Sequence, residues 1–115
     1  MKAFGRRVTI AAGDNVTNNV VEAFTVPAGF VVTGVAAVST VLGASMAYGV
    51  GDSGSATRYL SAASGAAVTP VLTLATTGLL YKNTVQTTIL ITVSLQGTGQ
   101  PAGTIDLYLI GFIDN

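Results

Sequence analysis

The residues best placed to do chemistry are Asp52 and Arg58. Asp52 lies in the glycine loop Gly51-Asp52-Ser53-Gly54-Ser55-Ala56, Arg58 lies just beyond it, and Tyr59 follows the arginine. Two glycines and an aspartate suit positive φ and an Asx-type turn. A carboxylate and a guanidinium beside such a loop can form a ligand clamp or a calcium loop. They can equally form a turn aspartate and a salt bridge that shapes the loop. The second reading asks less of the sequence, because an EF-hand needs many more acidic oxygens at fixed spacing. The other carboxylates, Asp14, Glu22, Asp106 and Asp114, are scattered. A glycosidase needs two carboxylates facing each other across a sugar, and nothing here selects a pair. Serine and threonine are abundant, but none sits in a nucleophile elbow. Lys82 has no phosphate-binding glycine loop before it. Tyr48, Tyr59, Tyr81 and Tyr108 can stack on sugar rings if they share a face, or can serve a core or an interface.

The missing residue types narrow the chemistry further. The chain has no Cys and no His. That removes disulfides, thiol nucleophiles and Cys-based zinc sites. It also removes the commonest metal ligand and the usual base near neutral pH. The sequence therefore predicts no catalytic residue, no metal site, no cofactor and no enzyme activity. Lys2, Arg6 and Arg7 form only a small amino-terminal cluster. It is too small for the basic stripe that releases counterions from nucleic acid, so no nucleic-acid partner is expected.

The elements that would position these residues read as strands. From Ala23 to Gly51 no residue is charged, a length that spans a bilayer. Yet Pro27, Gly29, Gly34, Gly43 and Gly49 interrupt the run, and valine dominates its centre. A sheet buried on both faces reads the same way, so no membrane partner is expected. No apolar segment directly follows Lys2, Arg6 and Arg7, as a secretory signal would require.

Val8–Ala12 reads as an edge strand or arm. In Val16–Val26, Phe24 and Val26 are expected to face the core, with a bulge or bend near Asn18 and Asn19. Phe30–Leu42 carries apolar residues on both parities, which predicts a central strand covered on both sides. Ala44–Val50 is its expected partner. Ser61–Thr69 reads as irregular, and Pro70–Leu74 and Leu79–Lys82 as short strands. Val85–Leu95 alternates with period two. With Ile105–Ile113 it predicts a long hairpin across the Gly97–Gly103 loop.

On the last strand Leu107, Leu109 and Ile113 serve one face, while Tyr108, Ile110 and Phe112 line the other. Three large side chains on a nominally wet face predict an interface, either with a second sheet of the same chain or with another subunit.

Seven or eight short strands broken by Gly and Pro predict an all-β fold, an antiparallel β-sandwich of jelly-roll-like form. Residues 1–15 would be an N-terminal arm or edge strand, and residues 16–115 the sandwich domain. Half of the residues are apolar and only 9% are charged, with net charge zero. Ordinary soluble domains carry roughly a quarter charged. The deficit fits a surface covered by neighbours in an assembly, or alternatively a Thr/Ser/Asn-rich surface.

Three segments carry a family resemblance: VPAGFVVTGV at Val26–Val35, YGVGDSGSATRYL at Tyr48–Leu60, and TTILITVSLQGTGQPAGTIDLYLIGF at Thr87–Phe112. In this order they resemble small β-sandwich structural proteins of tailed bacteriophages, found as head-decoration or fibre and spike modules. The resemblance covers residues 16–113 and is diffuse. It implies a place in the virion, homo-oligomerisation, contact with other virion proteins and no catalysis. The alternatives from the residues are a carbohydrate- or receptor-binding module at a fibre tip, with a glycan partner, and a subunit of a cellular pilus or shell.

Overall fold

A computed structural model describes residues 1–115. Period-two alternation resolves into seven strands: β1 (Lys2–Ile10), β2 (Val20–Val26), β3 (Phe30–Ser39), β4 (Ala47–Gly51), β5 (Leu60–Ser64), β6 (Thr87–Leu95) and β7 (Gly103–Ile113). They form two antiparallel sheets, ordered β1-β7-β3 and β2-β6-β4-β5. The fold is the expected β-sandwich. Alternate residues meet between the sheets, as the pleat requires. Val8 and Ile10, Val32 and Val35, and Ile105, Leu107 and Leu109 come from one sheet. Tyr48, Val50, Ile89, Ile91 and Val93 come from the other. Phe4 packs edge-on against Phe30, with ring centroids 4.9 Å apart.

Several sequence expectations change. The strand at the amino terminus is longer than Val8–Ala12, and it lies at the edge of the three-stranded sheet along β7. In β2 a bulge between Glu22 and Phe24 shifts the parity. Ala23 and Val26 are buried there, and Phe24 only half-buried. β4 does not pair with β3 but lies between β5 and β6 in the other sheet. Part of the segment expected to be irregular is β5.

Nor is β3 central in its sheet. Its free edge is instead covered by the connection between β5 and β6. Val71 exchanges backbone hydrogen bonds with Ala37, Leu80 and Tyr81 bond to Val32, and Asn83 to Phe30 and Gly29. Pro70 and Leu72 of the same connection also border Ala36 and Val38, so apolar side chains on both parities of β3 meet neighbours without a strand on each side. Two strands expected in this connection reduce to single bridges at Val71 and Lys82. Pro70 lacks an amide donor, and Leu80 takes a left-handed φ of 61°, so neither stretch can extend a ladder.

The β6–β7 hairpin is also absent: β6 and β7 belong to different sheets. Asn15 holds the crossover that separates them. It is fully buried. Its side-chain amide donates to the carbonyls of Leu42 (2.8 Å) and Pro101 (3.1 Å), and its side-chain oxygen accepts from the Gly97 amide (2.9 Å). Three loops at one end of the sandwich thus share one residue. A side chain at Gly97 would collide with the Leu42 carbonyl, so glycine is needed where the loops cross.

Candidate functional site

The Asp52 cluster forms at the β4–β5 loop. Asp52 Oδ1 accepts from the amides of Gly54 (2.9 Å) and Ser55 (3.0 Å), as an Asx-type turn does. Arg58 donates from Nε to Oδ2 at 2.8 Å and from its terminal nitrogen to Oδ1 at 3.2 Å. The guanidinium then stacks on Tyr81, 3.8 Å from the ring centroid, a cation–π contact. Tyr81 meets Tyr59 edge-on at 6.4 Å. Tyr59 is fully buried, with its hydroxyl 3.4 Å from the Asn83 side-chain nitrogen. Burial pushes the Asp52 carboxyl up, but the Arg58 hydrogen bond, the two amides and the Arg58 charge outweigh it. Its pKa lies below the usual carboxylate value.

Both carboxylate oxygens and both inward-facing guanidinium nitrogens are therefore engaged within the chain. The arrangement clips the β4–β5 loop to the segment that covers β3.

The four tyrosines do not share a face. Tyr48 and Tyr59 are fully buried, Tyr81 lies beneath Arg58, and only Tyr108 is exposed. Burial pushes the Tyr48 phenol up to about 12. No stacking platform for a sugar results.

Tyr108, Ile110 and Phe112 point to the outer face of the three-stranded sheet. No second sheet of the chain covers them, and Tyr108 and Phe112 remain 44% and 41% exposed. The register explains how they project. Tyr108 lies between Gly5 of β1 and Ala36 of β3, and Ile110 between Ala3 and Gly34. Small residues flank large ones, so β7 stands out as a ridge. A Cβ at Gly5 would collide with the Tyr108 ring. Beyond Tyr108, Leu72 and Pro70 join Ala36, Val38 and Tyr108 around a cavity of ≈ 210 Å³. Leu72 is 70% exposed. The ridge ends at Asp106, which Arg7 grips in a two-pronged ion pair at 2.8 and 3.1 Å. The Arg7 hydrogen bond holds the Asp106 carboxyl below its ordinary value.

The opposite sheet differs. Its outward positions on β6 are Thr88, Leu90, Thr92 and Ser94. One face of the sandwich is thus apolar and ridged, and the other is mostly small and polar. Sequence reasoning found the ridge but missed its setting. The small residues at Ala3, Gly5, Gly34 and Ala36 carry that signal only once the register is known. Leu72 was missed because its segment was read as a strand.

No protein-family model matches the chain, and no curated protein does. Among solved structures the chain is similar to one chain of the cyanophage Pam1 capsid asymmetric unit. The TM-score is 0.77 and the identity 28%, covering 94% of this chain and 81% of that one. The likeness, in fold and in sequence, is to a phage capsid component. It supports a virion structural role for the chain.

Proposed function

We propose that this chain is a non-enzymatic structural protein of a phage virion, docking on neighbouring virion proteins through the outer face of its three-stranded sheet. The observation that carries the reading is the likeness to a cyanophage capsid chain over 94% of the sequence. The low charge and the uncovered ridge on β7 agree with it independently. Within the virion, the reading is a capsid decoration or a head-fibre or spike component that self-associates. The strand pairings fit the jelly-roll-like wrap expected from the sequence. β1 lies beside β7, β2 beside β6 and β4 beside β5, and the β5–β6 connection lies beside β3. That connection takes the place of an eighth strand.

Tyr108 and Phe112 are the half-exposed apolar side chains that such a contact would bury, and burying apolar area stabilises an interface by about 25 cal/mol per Å² before the cost of association. Ile110→Asp places a charge in the middle of the ridge. The variant should keep its β-sheet circular dichroism and fail to co-sediment with virions that bind the unaltered protein. Unfolding would show that Ile110 serves the chain's own core. A folded variant that still binds virions would remove the ridge from the docking surface.

A further inference from the structure

The two sides of the sandwich are finished differently. On one side the β5–β6 connection hydrogen-bonds the β3 edge. On the other, β1 and β2 are the last strands of their sheets. Beyond their pairing with β7 and β6, neither makes a backbone hydrogen bond. Such edges are templates for another strand. Their charges are opposite: β1 carries Lys2, Arg6 and Arg7, whereas Glu22 is the one charged residue of β2 and forms no ion pair in the chain.

We infer that this open side is a self-association surface, on which a second copy of the chain pairs its β2 with β1, and its β1 with β2, about a two-fold axis along the strands. The inference gives the self-association in the proposed function a surface and rests on that part of it, not on docking to other virion proteins. Phe4, early in β1, shares a cavity with Thr25 and Val26, late in β2, and one loop joins the end of β1 at Ile10 to the start of β2 at Val20, so β1 and β2 run in opposite directions across the sandwich at matched levels. A two-fold axis along the strands keeps those levels and exchanges the sheets. Each β1 then meets the β2 of the other copy in antiparallel order, with outer faces continuous. Counting back from Phe4 and Val26 across the β2 bulge brings Arg7 opposite Glu22 of the second copy.

Both residues point outward: Arg7 lies beside Asp106 on the outer face. Glu22 lies beside Leu90, between the buried Ile89 and Ile91. A row of alternating sign results, Asp106, Arg7 and then Glu22 of the second copy. Opposite charges on facing strands stabilise pairing and like charges oppose it. The competing arrangement, β1 against β1, would set the Arg6 and Arg7 pairs against each other. The inferred contact is isologous and closes both open edges at once, which limits growth to a dimer.

The chain has no cysteine, so designed thiols report cleanly. Within one chain β1 and β2 approach within 8 Å between Cα atoms, close to the roughly 7 Å that a disulfide spans, so the two thiols are placed on separate chains. Arg7→Cys protein mixed with Glu22→Cys protein and oxidised at micromolar concentration should give a covalent heterodimer on a non-reducing gel. Each single variant should stay monomeric there. A dimer from Arg7→Cys alone would show β1 against β1 and overturn the inference. So would a mixture of the two variants, each with native circular dichroism, that gives no cross-link. Independently, Glu22→Lys should weaken the dimer by about tenfold in Kd, read by sedimentation equilibrium. An unchanged Kd would contradict the pairing. Virion binding by the Ile110→Asp protein is a separate readout, so failure of either reading is distinguishable from failure of the other.

Discussion

Asp52 shows what a single buried carboxylate does in a chain with few charges. It is only 6% exposed, and four hydrogen bonds hold it. Charge-assisted bonds of this kind are worth more than neutral ones, and removing one partner strands the other. Asp52→Ala leaves Arg58 stacked on Tyr81 without its counter-ion, and two loop amides without an acceptor. The loss should be about 2–4 kcal/mol, lowering Tm by on the order of 10 °C in a domain of this size. The pH dependence has a definite sign. The folded pKa of Asp52 lies below its ordinary value of 3.8. Its contribution is therefore present above that value and is lost as pH falls through the folded pKa. The Tm gap between the unaltered protein and Asp52→Asn should be widest near neutral pH and should close below pH 3.8. A gap that persists in acid would show that shape, not charge, secures the loop.

At the scale of elements, strand identity is readable where side chains alternate. Ile89, Ile91 and Val93, like Ile105, Leu107 and Leu109, announce their inward face. Strand partners are not readable in the same way. β6 and β7 look like a hairpin because a short loop joins two alternating runs. They separate where Asn15 binds that loop at Gly97 and Pro101 and ties it to Leu42 of the β3–β4 connection at the end of the sandwich. A buried asparagine in a Gly-Asp-Asn turn looks like any surface turn until its partners, far away in sequence, are known. The parity of β2 was hidden for a related reason, since a bulge adds a residue without changing composition. β3 looked central because its edge partner is a connection rather than a strand. The ridge was legible as Tyr108, Ile110 and Phe112, but not its height, which depends on Gly5 and Ala36 lying alongside. Asn15→Ala tests the crossover. It strands two carbonyls and an amide inside the fold and should cost about 2–4 kcal/mol. Urea titration followed by circular dichroism would measure it. A loss below about 0.5 kcal/mol, the range of ordinary surface substitutions, would show that the loops hold without this residue.

For the whole molecule, two surfaces remain for partners once the core and loops are accounted for. One is the apolar ridge, and the other the side where two sheet edges lie open. Neither has the converging polar groups of an active site. Both suit a protein whose work is to sit in an assembly, which matches its likeness to a phage capsid chain. The low charge agrees with that reading, because surface hidden by neighbours needs little charge for solubility.

The most direct test of the virion assignment is electron microscopy of phage particles carrying this chain with a label fused to its terminus. The account predicts label density at regular positions on every particle. Symmetry averaging should show the sandwich with β7 turned toward a neighbouring virion protein. Purified particles that lack the chain, or that carry it at irregular positions removable by a salt wash, would contradict it.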